Sequence, residues 1–95
     1  MASIPEIVSS LRAVSQDVED AVKDLQILGQ EQDIVEYCLE LARQLGKFDK
    51  MMLFEMMAGR IEEQRLECAE YIGEKMKESD ELRKMLHQRQ HFVGV

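Results

Sequence analysis

Few residues in this chain have the types and the spacing that catalysis or metal binding requires. His87 and His91 are four residues apart, so on a helix both imidazoles could reach one metal ion. The sequence offers no third ligand nearby, and the residues three positions before the histidines are Lys84 and Gln88, where a di-iron bundle needs glutamate. We therefore predict no metal site and no cofactor.

The cysteines and glycines are not arranged for catalysis either. Cys38 and Cys68 lie on apolar faces, where a thiol behaves as a small hydrophobic side chain, and there is no Cys-x-x-Cys motif. The five glycines are isolated, so a glycine-rich phosphate-binding loop is not expected. Because both histidines lie near the C-terminus, a nucleophile with its base cannot be assembled. We predict that the chain is not an enzyme and has no catalytic residues.

Charge and hydropathy narrow the classes of partner. The 95 residues include 19 acidic and 12 basic ones, which gives a formal net charge of −7. An acidic chain repels phosphate backbones, so we expect no direct contact with nucleic acid. No apolar run approaches the ~18 residues that cross a bilayer, and a signal peptide is not recognisable. We expect a cytoplasmic protein without membrane contact, in which both cysteines are reduced.

Apolar residues recur at helical spacing and predict an all-α fold. A heptad stripe of alternating three- and four-residue steps predicts the first helix over residues 4–28, with Ser3 and Glu6 at capping-box spacing and Gly29 as its stop. The second helix is predicted over residues 31–45, before Gly46. Its expected buried face consists of Ile34, Val35, Cys38, Leu41, Ala42 and Leu45.

The third helix is predicted over residues 50–78, with Asp49 as its N-cap. A fourth helix over residues 80–90 could follow a cap at Ser79, or the third helix could continue through this serine; the pattern favours neither. The expected core face of the third helix consists of Phe54, Met57, Ala58, Ile61, Cys68, Ala69, Ile72 and Met76.

The connections near Gly29 and Gly46 are short, which favours antiparallel neighbours. We therefore expect a single domain, residues 1–95, built as an up-and-down antiparallel bundle of three, possibly four, helices with coiled-coil-like packing. Helices of such unequal predicted length leave apolar surface uncovered on the longer ones. For this reason we expect dimerisation to complete the bundle.

The beginning of the third helix is apolar around its whole circumference, and such a helix must be buried on every side. A second copy could cover it, a different protein could dock on it, or the C-terminal segment could fold back over it through Leu82, Leu86 or Phe92. We predict that it binds protein and call it the methionine segment: Phe48, Met51, Met52, Leu53, Phe54, Met56 and Met57.

Two hypotheses for function follow. The main one is a non-enzymatic protein–protein interaction module, such as an adaptor, scaffold or inhibitor, that acts through the methionine segment and self-associates. The alternative is an acidic decoy that mimics nucleic acid toward a basic partner protein. Its binding surface would be either the Asp17–Asp24 face of the first helix or a column of glutamates on the third, which Lys75 and Lys77 partly offset. We call this column the acidic face: Glu63, Glu67, Glu70, Glu74 and Glu78.

Overall fold

Two long α-helices account for nearly all of the described chain. The computed structural model describes the backbone of residues 2–93 and the side chains of residues 2–90. Helix α1 spans Ile4–Gln44 and helix α2 spans Phe48–Val93, with 41 and 46 residues respectively. The prediction of an all-α fold is confirmed.

The predicted division into three or four helices is wrong. The helices predicted over residues 4–28 and 31–45 are parts of α1, which continues through Gly29. A glycine inside a helix costs only about 0.5–1 kcal/mol relative to alanine, which the packing of α1 on both sides of Gly29 outweighs. In the same way α2 continues through Ser79, so the continuous helix is the correct alternative there.

The turn between the helices forms where the sequence predicted an end. Gly46 has a φ of 67°, a left-handed conformation that glycine adopts without a steric penalty. The amide of Lys47 donates to the carbonyl of Ala42 at 3.0 Å, and the amide of Gly46 donates to the carbonyl of Arg43 at 3.2 Å. These paired bonds form a Schellman motif, which satisfies carbonyls that the end of α1 would leave without a donor.

The two helices begin differently. At the start of α1 the amide of Glu6 donates to Ser3 Oγ at 3.4 Å, so the side-chain cap predicted from the sequence is present. At the start of α2 the predicted cap is wrong, because the helix begins at Phe48. Asp49 therefore lies inside the first turn, where its carboxylate interacts favourably with the positive end of the helix dipole.

One stripe of inward-facing residues runs along each helix, and we call it the seam. In α1 its buried members lie seven residues, or a multiple of seven, apart: Ile7, Val14, Ala21, Val35 and Ala42. In α2 the seam follows alternating steps of three and four residues, broken only at the exposed Arg65: Met51, Phe54, Ala58, Ile61, Cys68, Ile72, Lys75, Ser79, Leu82, Leu86 and Arg89. These are the periods of coiled-coil packing.

The seam corrects the buried faces that the sequence predicted. In α1 the stripe of the first predicted helix continues in register through Gly29, and this continuation buries Val35 and Ala42 but not Ile34, Leu41 or Leu45. In α2 three residues of the expected core face flank the seam and are exposed: Met57, Ala69 and Met76. Each helix therefore carries more apolar residues than the seam accommodates.

The packing contacts of the chain fall into two units. Unit 1 contains Met1–Val22 and Glu70–Val95, and unit 2 contains Lys23–Ala69. Unit 2 includes the turn, so its two helical segments run antiparallel. Every contact described below lies within one of the two units.

Candidate protein-binding surface

In unit 1 the seam includes a charged group, Lys75. Its ammonium lies 3.6 Å from the carboxylate of Asp17 on α1 and 3.4 Å from that of Glu78 on α2. The ammonium also lies 5.6 Å from the centre of the Tyr71 ring. Glu78 is the main cause that raises the pKa of Lys75 above its ordinary value; Tyr71 and Asp17 add to the effect and partial burial opposes it.

In unit 2 a polar pair also crosses between the helices. The guanidinium of Arg65 on α2 donates to the side-chain oxygen of Gln32 on α1. Gln32 stands where the heptad pattern of α1 calls for an apolar side chain. Polar groups at such positions favour one pairing and register of the helices, because other registers leave them without a partner.

The groups that could support redox or metal chemistry do not converge. Cys38 and Cys68 are half-buried, and they form no disulfide within the described residues. Residues 2–90 contain no group of three or more His, Cys, Asp or Glu side chains placed to hold a metal ion. His87 is exposed, and the side chain of His91 lies outside the described residues.

The structure divides the methionine segment into three sets. Met51 and Phe54 belong to the seam and are half-buried. Leu53 and Met57 are 52% and 42% exposed and lie on one flank of the seam. The remaining three residues are exposed on the opposite flank or on the outward side of α2: Phe48, Met52 and Met56.

Fold-back of the C-terminal segment over the methionine segment does not occur in the described chain. Leu82 and Leu86 are half-buried seam residues of α2 in unit 1, whereas the methionine segment belongs to unit 2. The side chain of Phe92 lies outside the described residues. Helix α2 runs without a break from the methionine segment through both leucines, so this part of the chain does not turn back onto the segment.

Helix α1 adds apolar residues that the sequence analysis had assigned to a core. Ile34, Leu41 and Leu45 are 63%, 44% and 60% exposed, and Cys38 between them is half-buried. Their spacing of four, three and four residues places them on one flank of the α1 seam. The sequence signal that could have identified them is a second heptad stripe. A helix that packs against one partner buries one apolar stripe, so a second stripe remains exposed.

These residues of both helices form a continuous surface next to the turn. Cys38, Leu41 and Leu45 line a groove together with Lys50 and Phe54 of α2. Leu53 and Met57 follow Lys50 by three and seven residues, and therefore lie on the same side of α2. We call this surface the two-helix apolar face: Ile34, Cys38, Leu41, Leu45, Leu53 and Met57.

The opposite side of unit 2 is chemically different. On that side a second groove is lined by Leu25, Glu62, Arg65, Leu66 and Ala69, so charged groups interrupt the apolar ones. On α1 the neighbouring exposed surface includes an ion pair in which Arg43 lies 2.7 Å from Glu40. The groove at the two-helix apolar face also contains charged groups, Lys47 and Lys50, but five of its seven lining residues are apolar.

No protein-family model, curated protein or solved structure matches the chain.

The acidic face consists of exposed side chains only. All five glutamates are exposed on α2, and the described ion pair among them joins Glu78 to Lys75. Within the described residues neither α1 nor α2 contains a stretch apolar enough to cross a bilayer. Two surfaces thus remain as candidates for binding, the two-helix apolar face and the acidic face.

Proposed function

We propose that this chain is a non-enzymatic protein–protein interaction module that self-associates through the two-helix apolar face. The observation that carries the proposal is the exposure of apolar side chains from both helices at one surface next to the turn. Burying a Leu, Ile or Met side chain contributes about 1.5–3 kcal/mol. The five exposed side chains of these types on the face favour a bound state over a solvated one.

The total surface supports association. The chain exposes 7453 Å² at a mass of 11.0 kDa, whereas folded monomers of this mass expose about 5,600 Å². The difference, about 1,800 Å², is larger than the roughly 800 Å² that each partner contributes to an interface of standard size. One such interface per chain would remove somewhat less than half of this excess.

The same proposal includes three expectations from the sequence. They are reduced thiols, a cytoplasmic location and a role as an adaptor, scaffold or inhibitor. Both cysteines are without a disulfide in the described chain, which suits a reducing compartment. A module of this kind needs no cofactor, and its activity is the presentation of a surface.

The oligomeric state of matched variants tests the proposal. We expect the wild-type chain to be heavier than a monomer at micromolar concentration, in sedimentation equilibrium or light scattering. The double variant Leu53→Glu, Met57→Glu places two charges on the two-helix apolar face and should be monomeric, with unchanged helix content by circular dichroism. Met52→Glu, Met56→Glu adds the same charge to the same helix on other sides and should still associate.

Two results would contradict this. A monomeric wild type would remove self-association altogether. Dissociation by the Met52 and Met56 changes, but not by the Leu53 and Met57 changes, would move the binding surface to the other side of α2.

The acidic decoy is the second candidate, supported by the exposure of all five glutamates on α2. Its binding would depend on charge, so affinity for a basic protein should fall steeply between low and physiological salt. Association through the two-helix apolar face should change little over the same range. A basic polypeptide such as polylysine serves as the probe, with Glu70→Gln, Glu74→Gln as the matched variant.

A further inference from the structure

We propose that the groove in the two-helix apolar face binds an acidic amphipathic helix of a different protein. The apolar side chains of that helix enter the groove, and its carboxylates pair with Lys47 and Lys50. The inference rests on the proposed function insofar as the same face is the binding surface. It goes further by naming a partner other than a second copy, so partner binding and self-association exclude each other.

The size of the groove favours side chains over a whole small molecule. Its volume is about 190 Å³, whereas sites for drug-sized ligands enclose about 300–1,000 Å³. A cavity of about 150 Å³ is enough for one benzene ring, so the groove accepts one large apolar side chain. Ile34, Leu53 and Met57 continue the apolar surface along the two helices, which suits further anchors one helical turn apart, as in helix-in-groove recognition.

The charges of the groove determine the charge of the partner. Lys47 and Lys50 are the only charged groups among its lining residues, although the chain has a net charge of −7. Asp49 lies between them in sequence but lines a separate groove with Phe48. Neither lysine belongs to an ion pair within the described residues. An occupant that covers these ammonium groups is favoured when it supplies carboxylates, because an ammonium removed from water without a partner costs free energy.

A second copy supplies the opposite charge less well than an acidic helix does. In a two-fold dimer the same surface patch lies on both sides of the interface, so the groove of each chain brings its own two lysines and no carboxylate. Self-association therefore buries apolar area but adds cations. An acidic helix buries the same area and places carboxylates opposite the ammonium groups.

An anionic membrane shares the chemistry of such a helix, since it offers apolar groups next to negative charges, but it fits this chain less well. Anionic lipid surfaces bind clusters of about 4–8 basic residues, whereas the groove contributes only Lys47 and Lys50. The net charge of −7 also opposes the approach of the chain to anionic lipid. The observations thus favour a protein helix.

Titration of designed peptides into the full-length chain tests the inference. The probe, called the leucine–glutamate peptide, is a labelled helical peptide with leucines at i, i+3 and i+7 and glutamates on both flanks of this stripe. Two matched peptides replace either its glutamates by lysines or its leucines by alanines. By fluorescence anisotropy we expect the probe to bind at least about tenfold more tightly than either control, because ion pairs and leucine burial both contribute.

Matched variants of the chain locate the binding site. Lys47→Gln, Lys50→Gln removes both cations of the groove and should weaken binding of the leucine–glutamate peptide about fivefold, as expected for two exposed ion pairs. Lys77→Gln, Lys84→Gln removes two exposed lysines of unit 1 and changes the net charge equally, but should leave this affinity unchanged.

Four results of these titrations would overturn the inference. They are no binding of the leucine–glutamate peptide, equally tight binding of a control peptide, equal losses in the two double variants, and tighter binding to vesicles of phosphatidylcholine and phosphatidylserine than to the peptide.

Sedimentation of the same mixtures separates this inference from the proposed function. Saturating leucine–glutamate peptide should convert the self-associated wild type into a complex of one chain with one peptide. A self-associated chain that keeps its number of subunits at saturating peptide overturns the inference, while the proposed function stands. A wild type that sediments as a monomer without peptide refutes self-association, and the peptide titration then decides the inference by itself.

Discussion

Lys75 makes one ion pair within its own helix and another with the opposite helix, and the sequence pattern indicated only the first. Its place in the sequence suggested only a cation that offsets the acidic face, and it does lie 3.4 Å from Glu78. The side chain is also one quarter exposed within the seam and pairs with Asp17 across the helices. Pairing with a residue far away in sequence could not be anticipated, because it depends on the register of two helices.

The raised pKa of Lys75 predicts how the contribution of this residue to stability depends on pH. Because the folded chain binds this proton more tightly than the unfolded chain does, the contribution of Lys75 to stability is fully present below its ordinary pKa of 10.5. It should decline as the pH rises through the raised value. We therefore expect the free energy of unfolding of the wild type, relative to that of Lys75→Met, to be lower at a pH above 10.5 than at neutral pH. Urea unfolding at the two pH values measures this difference.

Control variants separate this effect from other titrations. Lys77→Met removes an exposed lysine from the same helix, and Tyr71→Phe removes the neighbouring phenol. The difference between wild type and Lys75→Met should depend on pH in the Tyr71→Phe background as well. A difference that stays constant over this range would show that the pairs with Asp17 and Glu78 contribute nothing measurable.

At the scale of the element, the two helices illustrate which glycines end a helix. Gly29 and Gly46 have the same signal in the sequence, since both follow an apolar periodic stretch. In the structure only Gly46 adopts a positive φ, and Gly29 lies inside α1 with room for a Cβ. What decides between them is whether the seam continues beyond the glycine, which requires knowledge of the partner helix.

This contrast predicts opposite effects for the same substitution. Gly29→Ala should raise the free energy of unfolding by about 0.5–1 kcal/mol, because alanine favours the helix and its methyl group meets no neighbour. Gly46→Ala should lower it by about 1–2 kcal/mol, since a left-handed φ strains any residue with a Cβ. Urea unfolding at one protein concentration measures both.

The reverse order of stabilities would contradict the structure at this point. If Gly29→Ala destabilised the chain, either α1 would be interrupted there or a neighbouring group would occupy the space. Gly59 and Gly73, where a Cβ likewise meets nothing within 4 Å, provide further comparisons inside α2.

For the whole molecule, self-association couples stability to concentration. A chain that binds its own copy only when folded is stabilised by mass action as its concentration rises. We expect the thermal midpoint of the wild type to rise by about 3–5 °C for each tenfold increase in concentration. Differential scanning fluorimetry or calorimetry over two decades of concentration measures this shift.

The variants of the two-helix apolar face provide the control for the same measurement. Leu53→Glu, Met57→Glu should show a midpoint that does not depend on concentration, whereas Met52→Glu, Met56→Glu should behave like the wild type. A wild-type midpoint that is constant over this range would count against association.

The helical class, the cap at Ser3, the turn at Gly46 and the apolar excess of the methionine segment were all evident from the residues alone. These features are local, since each depends on side chains within a few positions or on the period of one helix. The number of helices, the true seam and the contribution of Ile34, Leu41 and Leu45 emerged only from the tertiary structure. The reason is that α1 carries two apolar stripes, and only contact with α2 determines which one is buried and which remains for a partner.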